Sequence, residues 1–88
     1  MNPVNVAIRY CGGWGYGSRF TAARAFIMGK FPSGVNVQGN MDPGTTGNFE
    51  ITVNDKLVHS KKTQGHGFLH DNEAQKQVVV KAIEAAMH

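Results

Sequence analysis

Cys11 is the only cysteine of the chain, and it is the side chain best suited to nucleophilic chemistry. Four glycines follow it closely, namely Gly12, Gly13, Gly15 and Gly17. A thiolate is the nucleophile of disulfide exchange, and its pKa falls where unpaired backbone N–H groups at the start of a helix favour an anion. Glycines also let a reacting partner approach the backbone closely. The loop therefore indicates thiol chemistry, and the structural alternative is that Cys11 is a small buried apolar residue.

The residue three positions after Cys11 is Trp14, where a second sulfur would complete a Cys-x-x-Cys redox pair. With Trp14 the chain forms no internal disulfide, which excludes a secreted disulfide-rich scaffold. A glycine-flanked loop is a poor place to bury an indole, so Trp14 could also be an exposed contact residue for a partner protein. Both interpretations stay open at this point.

The glycines match a nucleotide-binding loop poorly. The pattern Gly13-x-Gly15-x-x-Ser18 lacks the third glycine of a dinucleotide fingerprint, and no acidic residue follows at the usual distance of about 20 residues. The pattern Gly12-x4-Gly17-Ser18 lacks the lysine of a phosphate loop. A nucleotide site is therefore not expected.

Two of the histidines, His66 and His70, are four residues apart in the sequence. They straddle the predicted start of a helix and do not share one helical turn, and no recognised zinc-ligand spacing is present. We expect surface histidines and no metal site.

Alternating apolar residues predict a strand before Cys11, and helical spacing predicts a helix after the glycines. The strand carries Val4, Val6, Ile8 and Tyr10 on one face. The helix carries Phe20, Ala23, Ile27 and Phe31 on one face. Ser18 is its predicted N-cap, and Pro32-Ser33-Gly34 ends it.

Three more strands and a second helix are predicted from the rest of the chain. The strands are 35–38, 49–53 and a last one beginning with 57–59, and the segments 39–47 and 61–67 are loops. A tight turn at Asn54-Asp55 joins the last two strands into a hairpin. Asp71 is the predicted N-cap of the final helix, whose apolar residues are Ala74, Val78, Ala82 and Ala85. The order β-α-β-β-β-α, with the first two strands parallel, predicts an α/β thioredoxin-like two-layer sandwich.

Length and composition are those of one small domain, residues 1–88. Hydrophobic residues make up 41% of the chain, and no apolar run reaches the roughly 18 residues of a membrane span. The N-terminus lacks the pattern of a signal peptide, so we expect a cytoplasmic protein with no membrane association. The net charge of +3 is too small for a nucleic-acid-binding arm.

Three segments of the chain resemble the selenoprotein W group of the Rdx family, whose members are thioredoxin-like. They are Tyr10-Cys11-Gly12-Gly13-Trp14-Gly15-Tyr16, Thr46-Gly47-Asn48-Phe49-Glu50-Ile51-Thr52-Val53 and Lys56-Leu57-Val58-His59-Ser60-Lys61-Lys62. The first is similar to the family's Tyr-Cys-Gly-x-Sec-Gly-Tyr and the second to its Thr-Gly-x-Phe-Glu-Val. The three together are specific, and the similarity covers nearly the whole chain.

The resemblance implies that Trp14 stands at the position of selenocysteine. The selenocysteine codon UGA differs by one base from the tryptophan codon UGG, so we expect Trp14 to record a misread codon or a replacement; a natural tryptophan is the alternative. The selenol at position 14 would attack first, and Cys11 would resolve the selenenylsulfide. Glutathione or the thioredoxin system would then reduce the protein. The implied function is a small antioxidant thiol–selenol oxidoreductase, and the form with Trp14 is expected to be redox-impaired.

The resemblance also implies a site around this pair. Gly12, Gly13 and Gly15 belong to the redox loop, and Thr46, Gly47, Asn48 and Phe49 would face it and shape a groove for the partner. The mammalian relatives suggest binding of 14-3-3 proteins, and we expect a monomer. Those relatives carry a further cysteine in the second strand, regarded as a glutathionylation site. This chain has Gln38 there, so glutathione linkage at that strand is not expected.

Two other functions compete with the oxidoreductase. One is a non-enzymatic protein-interaction module, in which Trp14 and Tyr16 form an aromatic anchor beside an inert Cys11. The other is a basic nucleic-acid binder, which would use Arg9, Arg19, Lys61 and Lys62 and would show salt-dependent binding.

Overall fold

The structure is a computed structural model, and it describes residues 3–13, 15–69 and 72–87. The elements are β1 (Val4–Tyr10), α1 (Tyr16–Lys30), β2 (Val35–Met41), β3 (Phe49–Val53), β4 (Lys56–Ser60) and α2 (Glu73–Ala86). The predicted order β-α-β-β-β-α is confirmed. None of the described helices is both long and apolar enough to cross a membrane.

The four strands form one sheet in the order β2-β1-β3-β4. β1 runs parallel to β2 and antiparallel to β3, and β4 is antiparallel to β3. The hairpin between β3 and β4 turns at Asn54 and Asp55, which both have positive φ values, 48° and 71°. Asn and Asp tolerate this left-handed conformation, which matches the twist of a two-residue hairpin.

The core lies on one face of the sheet. Buried side chains alternate along β1 with exposed or half-buried ones, and the same alternation holds in β3. α1 lies against β1 and β2, and α2 lies against β3 and β4. The largest fully buried side chains are Phe49, Ile8, Ile27, Ile51, Leu69 and Ile83. The two layers are therefore a sheet and a pair of helices, as predicted.

α1 begins earlier than predicted, at Tyr16. Gly15 occupies the N-cap position with φ 72°, a conformation that glycine adopts without a steric penalty. Ser18 is therefore inside the first turn, where its hydroxyl donates to the Gly15 carbonyl at 2.8 Å, and the prediction that it caps the helix is wrong. β2 is also longer than predicted, because its exposed end, residues 39–41, pairs with the end of β1.

The face that α2 buries is one residue away from the predicted one. Gln75, Val79 and Ile83 are buried, whereas Val78 is 44% exposed. The helix carries two adjacent apolar stripes. The buried stripe contains a glutamine, so the apolar pattern favours the other stripe. The N-cap is Asn72, whose side chain accepts from the Gln75 N–H at 3.0 Å. The predicted cap, Asp71, lies outside the described residues.

Candidate active site

Three loops meet at one edge of the sheet, which we call the loop edge. They are residues 11–13 and 15 after β1, 42–48 after β2 and 61–69 after β4. β1 and β2 are parallel, and β3 is antiparallel to both β1 and β4, so the C-terminal ends of β1, β2 and β4 all lie on this edge. Trp14, the predicted selenocysteine position, lies outside the described residues.

Cys11 is anchored between the first two of these loops. Its backbone N–H donates to the Asn48 carbonyl at 2.8 Å, and its side chain is only 1% exposed. The sulfur accepts from the Gly13 N–H at 3.3 Å and lies 3.9 Å from the Gly44 carbonyl oxygen. Burial fits the structural alternative of a small core residue. The N–H group directed at the sulfur is a polar contact that such a role does not need.

The pKa of the Cys11 thiol is lowered in this setting. Burial acts against the thiolate, but the backbone N–H groups of Gly47, Gly13 and Thr46 face the sulfur and outweigh it. The Thr46 hydroxyl has a single proton, which it donates to Asp42, so the backbone groups are the effective donors. These donors belong to the loops, whereas the sequence argument placed them at the start of α1.

Gly12 and Gly13 allow the first two loops to pack closely. The Gly12 N–H donates to the Gly44 carbonyl at 2.9 Å, and a Cβ at Gly12 would overlap the Asp42 carbonyl oxygen. A Cβ at Gly13 would lie 2.8 Å from the Thr45 hydroxyl oxygen. From the sequence, these glycines are expected to serve the approach of a reacting partner. In the structure Gly12 is required by the backbone of the neighbouring loop, whereas a Cβ at Gly13 would meet only the side chain of Thr45.

Asp42 organises the second loop, and sequence reasoning missed it. It is buried and accepts from Arg9 Nε at 2.7 Å, from the Thr46 hydroxyl at 2.5 Å and from Asn48 Nδ2 at 3.0 Å. These hydrogen bonds, of which that from Arg9 contributes most, lower the pKa of Asp42 to about 2. The only sequence signal was an aspartate before Pro43-Gly44, which is typical of a turn.

The predicted groove residues lie beside Cys11 in different ways. Thr46, Gly47 and Asn48 present backbone groups to it. The Phe49 side chain is fully buried in the core and packs edge-on against Phe68, so it cannot line an open groove. The role of the other three in binding a partner stays a prediction.

Tyr16 does not form a surface anchor. It is 7% exposed, and its ring packs edge-on against Phe68 at 4.9 Å between centroids. The predicted pair of exposed aromatic residues, Trp14 and Tyr16, therefore loses one member. This weakens the interaction-module alternative.

The expectation of surface histidines is wrong for His59, which is fully buried. Its Nε2 donates to the Gly67 carbonyl at 2.8 Å, and its Nδ1 accepts from Gln75 Nε2 at 3.1 Å. The ring is therefore neutral, and burial lowers its pKa. His66 is half-buried, and its Nδ1 accepts from the Ser60 N–H at 3.2 Å. His70 lies outside the described residues, among which no group of three metal-ligating side chains was found.

Comparison with known proteins gives the family. The model of the Rdx family matches residues 5–81. The chain belongs to the Rdx family. Among its relatives, selenoprotein W of Danio rerio is 43% identical over 96% of this chain and 95% of its own length. Selenoprotein W of Gallus gallus is 41% identical over 97% of this chain and 98% of its own length.

Two solved structures show the same fold as this Rdx domain. One is the selenoprotein W-related protein of Vibrio cholerae, with a TM-score of 0.73, 18% identity and coverage of 99% of this chain and all of that one. The other is a protein of Bordetella parapertussis, with a TM-score of 0.71, 22% identity and coverage of 91% of this chain and 98% of that one. The predicted thioredoxin-like fold is confirmed.

Proposed function

We propose that this Rdx protein is a thiol–selenol oxidoreductase that uses Cys11 and a selenocysteine at position 14. The relatives of about 40% identity are selenoproteins by name, and the chain shares their length. Trp14 is then a misread or replaced selenocysteine. The form with Trp14 has one thiol, and it lacks the partner that an internal exchange requires.

The setting of the Cys11 sulfur carries this proposal. Its side chain is 1% exposed, so a large oxidised substrate does not reach it directly. The pKa of the thiol is nevertheless lowered by the N–H groups around it, which favours the thiolate, the nucleophilic form. A buried, activated thiol is suited to resolving a bond formed by a neighbouring residue. This is the role that the resemblance assigned to it.

The reaction proceeds by two displacements. The selenolate at position 14 attacks one sulfur of a disulfide; the S–S bond breaks, an Se–S bond forms, and the leaving thiolate takes up a proton. The Cys11 thiolate then attacks the selenium atom. The Se–S bond to the substrate breaks, the second substrate thiolate leaves, and an S–Se bond joins residues 11 and 14. Two electrons pass from the protein to the substrate. Glutathione or the thioredoxin system returns them.

The variant Trp14→Cys tests the proposal, because a thiol replaces the expected selenol. We expect this variant to reduce bis(2-hydroxyethyl) disulfide at least about 100-fold faster than the chain with Trp14. Intact mass should show an internal disulfide in the oxidised variant. In the matched control, Trp14→Cys with Cys11→Ser, the variant should stop at a mixed disulfide.

Equal turnover by the Trp14 chain and the Trp14→Cys variant would contradict the proposal. The identity of residue 14 is checked on the protein from its natural source. We expect the isotope pattern of selenium in its intact mass. A mass that fits tryptophan would make the natural protein a single-thiol form and would remove the proposed mechanism.

A further inference from the structure

Two consecutive lysines, Lys61 and Lys62, lie on the loop edge directly after β4. The Lys61 ammonium lies 5.9 Å from the centroid of the Tyr16 ring and 5.7 Å from that of Phe68. Cation–π attraction holds a cation at such distances. Lys62 Nζ donates to the Thr46 carbonyl at 3.1 Å. Both charges are therefore held in place against the site, although Lys62 is exposed and Lys61 half-buried.

Each lysine contacts a residue whose own backbone N–H contacts the redox loop. Lys62 binds the carbonyl of Thr46, whose own N–H faces the Cys11 sulfur. Lys61 lies over Tyr16, whose N–H donates to the Gly13 carbonyl at 3.3 Å. Both cations therefore contact residues that adjoin the Cys11 loop.

The described acidic groups of this edge do not neutralise the two lysines. Asp42 is buried and paired with Arg9 at 2.7 Å. Glu50 lies 4.0 Å from Arg9 and accepts from the Ser60 hydroxyl at 3.3 Å. Within the described part of the chain, neither Lys61 nor Lys62 has a carboxylate within 4.0 Å. Counted over the described residues alone, the surface beside the loop therefore has a local excess of positive charge.

We propose that Lys61 and Lys62 form a carboxylate-binding subsite that selects small disulfides with negatively charged groups near the reacting sulfurs. Two cations match in number the two carboxylates of one small molecule. A polynucleotide would need a longer row of cations. This inference rests on the proposed oxidoreductase function and names the class of its substrate.

The lysines take no part in the electron transfer. They attract the anionic disulfide to the loop and hold its carboxylates while the group at position 14 attacks. The S–S bond of the substrate breaks and the leaving thiolate takes a proton from solvent, as in the general reaction. The subsite therefore changes which disulfide reacts, and it leaves the chemistry as it is.

Three disulfides that differ only in their end groups test the subsite. They are 3,3′-dithiodipropionate, a dianion; bis(2-hydroxyethyl) disulfide, which is neutral; and cystamine, a dication. The reduced Trp14→Cys protein reacts with each disulfide in a single turnover, at low and at high salt. The rate constant for oxidation of the protein is measured. We expect the dianion to react fastest and its advantage to shrink at high salt.

The charge preference should disappear with the two lysines. In Lys61→Gln/Lys62→Gln, the ratio of the rate constants for the dianion and the dication should fall about fivefold at low salt. The control Lys30→Gln/Lys56→Gln removes the same charge from the end of α1 and the start of β4, on the opposite edge of the sheet. Its ratio should stay unchanged.

The two proposals fail in different ways. If reduced Trp14→Cys reacts with none of the three disulfides, the oxidoreductase function itself is wrong. If it reacts with all three and the lysine pair changes the ratio no more than the control pair does, the function stands and the subsite is wrong. An equal loss of rate with all three disulfides would also overturn the subsite, since a charge-selective site acts on the ratio.

Discussion

At the scale of single residues, the site depends on groups that do no chemistry themselves. The Cys11 sulfur is surrounded by backbone N–H groups, and the loop that supplies most of them is held by the buried Asp42. Asp42 binds the side chains of Thr46 and Asn48, whose backbone groups contact Cys11. One carboxylate therefore positions the surroundings of the thiol without touching it.

The variant Asp42→Asn should be less stable than the parent protein at neutral pH. The pKa of Asp42 is about 2 in the folded protein and close to 3.9 in an unfolded chain, so its stabilising effect is full above pH 4 and is lost as the pH falls towards 2. Thermal unfolding followed by circular dichroism should show a Tm several degrees lower at pH 7. The gap should narrow between pH 4 and pH 2.5. A gap that stays constant over this range would mean that the ionised carboxylate is not what stabilises the loop.

At the scale of elements, α2 is joined to the sheet by a polar contact inside the core. Gln75 is buried, and its side-chain amide donates to the Val58 carbonyl at 3.0 Å and lies 3.1 Å from His59 Nδ1. His59 in turn donates to the Gly67 carbonyl. The helix, β4 and the loop that carries the two lysines are thus connected through one neutral imidazole.

The variant Gln75→Ala should lose about 1–3 kcal/mol of unfolding free energy, because it leaves the Val58 carbonyl and His59 Nδ1 buried without a donor. Urea unfolding at pH 7.5 measures this loss. The control is Gln77→Ala, an exposed glutamine on the same helix, which should change the free energy by no more than about 0.5 kcal/mol. Equal effects of the two variants would show that the polar contact contributes nothing.

At the scale of the whole molecule, one face of the sheet carries the core and one edge carries the site. The helices cover only the apolar face, and three loops meet at the end where three strands finish. The core holds the strands in register, and the register sets the positions of the loops. The site is therefore only as well ordered as the packing of the helices on the sheet.

The buried face of α2 gives the corresponding prediction. Ile83 is fully buried, so Ile83→Ala should cost about 2–5 kcal/mol, a large share of the stability of a domain of this size. Val78 belongs to the apolar face that the sequence predicts, but it is 44% exposed, so Val78→Ala should cost nothing and slightly favour the helix. Urea unfolding of both variants checks this. A greater loss in Val78→Ala would restore the face predicted from the sequence.

Local patterns predicted the elements well where one residue type had one role. The alternation in β1 and β3 and the turn at Asn54-Asp55 follow from short-range preferences, and the structure confirms them. The start of α1 was misplaced because a glycine in a left-handed conformation replaced a side-chain cap. The buried face of α2 was misplaced because a glutamine belongs to it, and a polar residue in a core is invisible to an apolar pattern.

The sequence by itself determined the order of the elements, the Cys11 loop and the resemblance to the Rdx family, since these depend on neighbouring residues and on their spacing. Only the tertiary structure decided that the buried Asp42 holds the loop beside the thiol, that Gly12 serves loop packing, and that Lys61 and Lys62 lie beside the loop. These contacts join residues that are far apart in the chain. They depend on the direction and register of the strands, which set where each loop lies.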